Sequence, residues 1–356
     1  MAGTQGVAWC LLYSFSWHQK TPIQAGRCCR GVGGEGMRLF GFRRSSPPGG
    51  CFGELLTALY MGVIAWIAAA THIHAILFPE LGALAHDVIK RPHGTWARAP
   101  GMLVLTPLLT GLAGTILVRN MGSGIMPILL SSAAAMLIIR VLRSPIAPAI
   151  SAGVLPISLH ITSWSYPASL LVGLVLLAVI SLIWRHIVPP AQVQTASDAA
   201  DDMTEETPHS YAWLPFFVVF LIGTAILAEV TGWRLILFPP LIVIGFEMFA
   251  HADVCPWARK PLVLPVACSL SALIGVALAT AFGDAPLAVI ASMVCGILIL
   301  RVFDLHVPPA LAVGLLPFVI PAVDYRFAAS VAIGTLSLTT LFLAWRRLRT
   351  MPLAPS

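Results

Sequence analysis

The sequence predicts an all-α polytopic membrane protein, a transmembrane helical bundle of two homologous repeats, each with about four spanning helices and two short broken segments. Three observations predict it. Of 356 residues, 58% are hydrophobic and only 10% charged, whereas a soluble domain carries about 25% charged residues. The chain divides into apolar runs close to the roughly 20 residues that cross a hydrocarbon core. Rare residue types recur at a fixed offset along it. The net charge of +6 does not point to nucleic acid, because no basic stripe follows a polar helix face. The 7 cysteines contain no CxxC pair, so neither a metal centre nor a cofactor is expected. The expected partners are the lipid bilayer and a small solute.

In chain order, residues 1–50 are rich in Gly, Cys and Arg and end in Pro47-Pro48-Gly49-Gly50. They read as a disordered leader rather than a signal peptide, with Met37 as an alternative start. Residues 51–188 form the first repeat. Spans are expected at 55–78, 101–118, 121–139 and 167–184, with short segments at 79–89 and 146–160. Residues 189–210 contain Asp198, Asp201, Asp202, Glu205 and Glu206 without Lys or Arg and read as an acidic, solvated linker. Residues 211–349 form the second repeat, with spans at 211–228, 262–283, 285–300 and 327–345 and short segments at 239–250 and 307–320. Residues 350–356 are a tail.

The repeat rests on matched residues. Trp96-Ala97-Arg98 recurs as Trp257-Ala258-Arg259, an offset of 257 − 96 = 161. At that offset Gly114 matches Gly275, Arg140 matches Arg301, Pro148 matches Pro309, Gly153 matches Gly314 and Trp184 matches Trp345. Leu77-Phe78-Pro79 matches Leu237-Phe238-Pro239 one residue closer. Shared apolar letters mean little in such a chain; shared Trp, Arg, Pro and Gly do not arise by chance.

The candidate site follows from the short segments. About 12 helical residues cover roughly 18 Å, too little for a lipid-exposed span, so such helices belong in a protein interior or along a cavity. Pro79, Pro148, Pro239, Pro308 and Pro309 stand where helices start. If those starts meet at mid-depth, their N–H groups offer an anion site; the alternative is that the prolines only kink packed spans. Arg140 and Arg301 close the preceding helices and either supply positive charge to a pathway or snorkel to headgroups. His306 stands just before Pro308-Pro309. Asp87 and Glu247 match across the repeats and are expected to pair with Arg98 and Arg259.

The stretch His306-Val307-Pro308-Pro309-Ala310, before Gly314-Leu315-Leu316-Pro317 and after Pro256-Trp257-Ala258-Arg259 and Ser271 to Gly275, resembles the HPP family of integral membrane proteins. The resemblance covers about residues 213–345 well and 55–185 weakly. It implies about four spanning helices per domain and, because some members are associated with nitrite transport, a small-anion transporter. Val307 interrupts the His-Pro-Pro triplet, and the first repeat has Ser144-Pro145-Ile146-Ala147-Pro148-Ala149 with no His.

The expected function is therefore a transporter or permease for a small solute, such as a small inorganic anion. The alternatives are a membrane-embedded enzyme and a structural or assembly protein. No HExxH, GxSxG or paired-Asp motif supports an enzyme. Arg38, Arg43 and Arg44 before the first span and Arg346, Arg347 and Arg349 after the last put both termini in the cytoplasm, in a bacterial inner membrane. Lys90, Arg91 and Arg98 conflict with this, since four spans per repeat leave them outside.

Overall fold

A computed structural model describes residues 49–189, 196–206, 208 and 210–350; the expectations for the leader before residue 49 and the tail after residue 350 lie outside them. In chain order the α-helices are α1 (Gly49–Thr71), α2 (Glu80–Lys90), α3 (Thr95–Arg98), α4 (Pro100–Met121), α5 (Ile125–Leu142), α6 (Ala149–Ser158), α7 (Ser165–Ile187), α8 (Ala196–Thr204), α9 (Leu214–Thr231), α10 (Pro239–Ala250), α11 (Val263–Phe282), α12 (Pro286–Val302), α13 (Pro308–Leu315) and α14 (Arg326–Thr350). There is no strand among the described residues. Seven of these helices (α1, α4, α5, α7, α9, α11 and α14) are long and apolar enough to cross a membrane. The eighth expected span, α12, has 17 residues and falls just short.

The long helices carry apolar residues on their outer as well as their inner faces. On α1, Phe52, Leu55, Leu59, Val63 and Trp66 are all exposed at spacings of three and four, one continuous stripe. On α9, Val219, Ile222, Ile226 and Val230 do the same. A stripe of that kind suits lipid and not water. The fold fits an integral membrane protein.

The four short helices lie inside. Every residue of α13 and every residue of α10 except Ala250 is buried, as are nearly all of α2 and α6. Proline opens each: Pro79 and Pro148 are the cap residues of α2 and α6, and Pro239 and Pro308 are the first residues of α10 and α13. Helix α2 packs on α13, and α10 on α6 and α13. A Cβ on Gly82, near the start of α2, would overlap Leu315 at the end of α13, while His306 before α13 reaches Asp87 near the end of α2. The two helices are thus antiparallel.

Side-chain contacts define two ends. Trp184 Nε1 donates to Ile89 O at 2.9 Å, His93 Nε2 lies 2.8 Å from Val188 O, and Phe52 stacks on Trp184. Arg140 lies over Tyr211, and Phe216 packs beside Trp345. The start of α1, the ends of α2, α5, α7 and α14 and the start of α9 therefore share one end with the linker. At the opposite end His74 Nδ1 meets Asp284 Oδ2 at 3.1 Å, and Ser123 Oγ donates to Ile157 O. Each short helix with its non-helical lead thus carries the chain from one end to the other. The first span accordingly ends at Thr71 rather than at residue 78. His72 breaks it with φ 56°, and a 3-10 turn (His74–Ile76) leads into α2.

Hydroxyl groups satisfy the backbone of these inner segments. Pro156 cannot donate to Ala152 O as a helix residue should, and the Tyr166 hydroxyl donates there instead, at 2.7 Å. Thr110 Oγ1 donates to Ala149 O at 2.6 Å. Tyr166→Phe orphans the Ala152 carbonyl in a dry interior and is expected to cost about 1–3 kcal/mol, read as a lower unfolding midpoint of the detergent-solubilised protein.

Candidate functional site

The end of α2 carries His86, Asp87, Lys90 and then Arg91. Asp87 and Arg91 are four residues apart, so they share a helix face. Arg91 Nε donates to Asp87 Oδ1 at 2.8 Å, and Arg91 Nη1 to Asp202 Oδ1 at 3.0 Å. Arg91 Nη2 also pairs with Glu205 Oε1. Backbone Thr95 N–H bonds the same Asp202 oxygen at 3.3 Å. One guanidinium, anchored on Asp87 of α2, therefore ties that helix to the linker through two carboxylates, Asp202 and Glu205. Asp87, Arg91 and Glu205 are each less than a tenth exposed.

His306 joins from the lead into α13. Its Nε2 lies 3.3 Å from Asp201 Oδ2 and 3.8 Å from Asp87 Oδ1, and its Nδ1 lies 3.5 Å from Lys90 Nζ. The His86 ring centroid is 6.4 Å from that of His306. Glu247 of α10 is buried, and its Oε2 has no hydrogen-bond partner. Glu247, His306, Asp201 and Glu205 border a void between Trp96 and Trp257 with room for about one water molecule. A larger cavity lies elsewhere, among Trp213, Phe216, Phe249, His251, Asp253 and Trp345; no residue of the cluster lines it.

Electrostatics favour positive charge here. The carboxyl groups of Asp87, Asp201, Asp202, Glu205 and Glu247 outnumber the cations Lys90 and Arg91. Burial pushes the Asp201 carboxyl up from its ordinary range, with His306 and Arg91 pulling it back. Burial also pushes Glu205 well up, and the charge of Asp87 adds to this. For Arg91, burial works against the charged form, but Asp87, Glu205 and Asp201 outweigh it and hold the guanidinium cationic. Such a cluster can bind a cation, or pass a proton between His306 and the carboxylates.

No family model, curated protein or solved structure matches this chain, so the likeness to the HPP family rests on the quoted residues alone.

Several expected site residues lie elsewhere. Arg140 is exposed and sits over the Tyr211 ring, 4.6 Å from its centroid. Arg301 reaches the start of α1, with Nε 3.1 Å from Glu54 Oε1. Both stand at the linker end as surface groups, and neither bonds a residue of the cluster. Arg98 bonds His93 O at 2.5 Å, so Asp87 pairs with Arg91 and not with Arg98. Arg259 is exposed and Glu247 buried, and no bond between them forms. The helix starts do not converge either. Because α2 and α13 are antiparallel, Pro308 and Pro309 face the acidic end of α2 and the void beside Glu247, while Pro148 does not line that void. What arrives together is His306, Pro308, Pro309, Asp87 and Glu247.

The solvated-linker reading is also corrected for the described part. Asp201, Thr204 and Glu205 are buried. The linker had no Lys or Arg of its own, and the stretch from the end of α2 to the end of α3 holds Lys90, Arg91, His93 and Arg98. That complementarity was the available signal for Arg91, Asp202 and Glu205. His86 had none.

Proposed function

We propose that the protein is a membrane transporter for a small solute, with its site in the buried charge cluster where α2, α10 and α13 meet. The observation that carries this is an acidic, half-satisfied set of buried ionisable groups closed in between the short helices and the linker. Such groups are expensive there and mark ion or proton pathways. The acidic surplus favours protons or a small cation over the anion, such as nitrite, that the HPP resemblance implies. Arg91, the buried cation of the cluster, is already held by Asp87, Asp202 and Glu205.

In this reading the chain is two copies of one unit, interlocked. The element order is the same in both halves, from α1 to α7 and from α9 to α14, with a 3-10 turn (Pro256–Arg259) in the place of α3. Gly114 approaches the Gly153 carbonyl as Gly275 approaches that of Gly314. Helix α1 lies along α12, and α5 along α9, which are exchanged versions of one contact. Each copy crosses an even number of times, because both short segments complete a crossing. That supports parallel copies and removes the conflict over Lys90, Arg91 and Arg98, which return to the linker end. Arg143, Arg185, Lys260, Arg346, Arg347 and Arg349 stand at that end too, against Arg119, Arg234 and Arg326 at the other. The positive-inside rule then makes the linker end cytoplasmic.

Flux into proteoliposomes tests the proposal, with protons, monovalent cations and nitrite as separate arms. Proton or cation flux is expected. It should fall by at least roughly tenfold in His306→Ala and Asp87→Asn and stay within about twofold in Arg301→Ala. Absence of flux in every arm sinks the transporter reading, and nitrite flux that is lost in Arg301→Ala sinks the placement of its site.

A further inference from the structure

A second acid lies in the interior, apart from the cluster. Glu80 is the first residue of α2 and only 1% exposed, and neither carboxyl oxygen has a hydrogen-bond partner of ordinary geometry. Asp87 lies seven residues further on, which is two turns and about 10 Å along the same helix face. One short helix thus carries two buried acids in opposite settings: Asp87 against Arg91 and His306, Glu80 against neither.

The surroundings of Glu80 are uncharged. Ser151 of α6 faces it, and Tyr166 of α7 is close enough to feel its charge. The Tyr166 hydroxyl is already committed to Ala152 O. Of the elements packed on α2, α13 has no ionisable side chain. Helix α1 brings Tyr60, whose hydroxyl donates to Gly173 O at 2.9 Å, and Glu54, which lies at the linker end on Arg301. Helix α3 brings Arg98, bonded to His93 O at the same end. No Lys, Arg or His forms an ion pair with Glu80 among the described residues. An ionised carboxylate so enclosed would carry an uncompensated desolvation penalty, whereas a protonated one gains a donor that can reach Ser151.

We propose that Glu80, with Ser151 and Tyr166, is a proton-binding site at membrane depth, separate from the Asp87–His306 cluster. Its place in a transport cycle rests on the transporter reading; its binding of a proton does not. Two acids on one helix, one ion-paired and the other without a partner, can exchange protons at different points of a cycle.

The test uses the full-length protein in lipid nanodiscs and dicyclohexylcarbodiimide, an apolar reagent that adds covalently to protonated carboxyl groups. Labelling would run from about pH 5 to about pH 9, across the range in which buried carboxyls titrate. The expected result is modification of the Glu80 peptide at low and neutral pH, declining as pH rises, and abolished in Glu80→Gln with Glu247 labelling unchanged. The glutamine variant mimics the neutral form and is expected to fold. Glu80→Asp should restore labelling. The carboxylic C=O stretch in the infrared difference spectrum between high and low pH should disappear in Glu80→Gln. Glu80 unlabelled at every pH, or labelled without pH dependence and with no infrared change, overturns the site. Loss of solute flux with the Glu80 titration intact would overturn the transporter reading and leave the proton site standing.

Discussion

Arg91→Ala is expected to lower stability by about 3–5 kcal/mol, the cost of breaking a buried ion pair from one side. The side-chain exposures are 7% for Arg91, 0% for Asp87, 5% for Glu205 and 21% for Asp202, so water cannot replace the lost guanidinium at Asp87 or Glu205. Three carboxylates would remain close together with Lys90 and His306 alone nearby. Two readouts follow. The unfolding midpoint in detergent should fall sharply, and added protease should cut the 189–210 linker faster, because α8 loses its anchor. Arg91→Lys should recover only part of the loss, since a single ammonium cannot span Asp87, Asp202 and Glu205 as a planar fork does. Equal protease sensitivity in wild type and Arg91→Ala would show that the linker is held by other contacts.

Gly114→Ala and Gly275→Ala should be nearly as damaging. A Cβ on Gly114 overlaps the Gly153 carbonyl, and one on Gly275 overlaps the Gly314 carbonyl. Both obstacles are backbone, on α6 and α13, and cannot rotate away. Each substitution is expected to cost about 3 kcal/mol, at the upper end of overpacking, and to reduce the monodisperse peak in size-exclusion chromatography. Gly223→Ala is the control. Nothing lies within 4 Å of its Cβ, and in mid-helix the change should be neutral or gain about 0.5–1 kcal/mol. Equal behaviour of all three variants would contradict the close packing of α4 on α6 and α11 on α13.

The helices were legible because their signals are local. An apolar run of span length and a proline at its start need no knowledge of the rest of the chain, and α10 begins and ends where the 239–250 reading put it. Pro148 marked α6 for the same reason. The burial of Asp201 and Glu205 was illegible because it depends on a partner far along the chain: Glu205 meets Arg91 across 114 residues. Charge density alone favours solvent for such a segment, and only the basic loop after α2 argued otherwise. Arg140 and Arg301 failed in the opposite direction. Their place at the ends of matched helices suggested a pathway, yet a helix end is also where a long side chain most easily leaves the interior, and both do. Glu80 gave no signal because the residue 160 positions further on is Pro240, so matching the halves passed over it.

The exchange of short helices between the halves bears on how the molecule is made. Helix α2 ends at Lys90 and its partner α13 begins at Pro308, 308 − 90 = 218 residues later. At about 5–20 residues per second of synthesis, α2, which α1 and α7 of its own half already flank, waits on the order of ten seconds or more for α13. During that interval the face of α2 that α13 covers stands open. Neither half is a finished product alone, and the order of synthesis makes the last short helix the step that shuts the core.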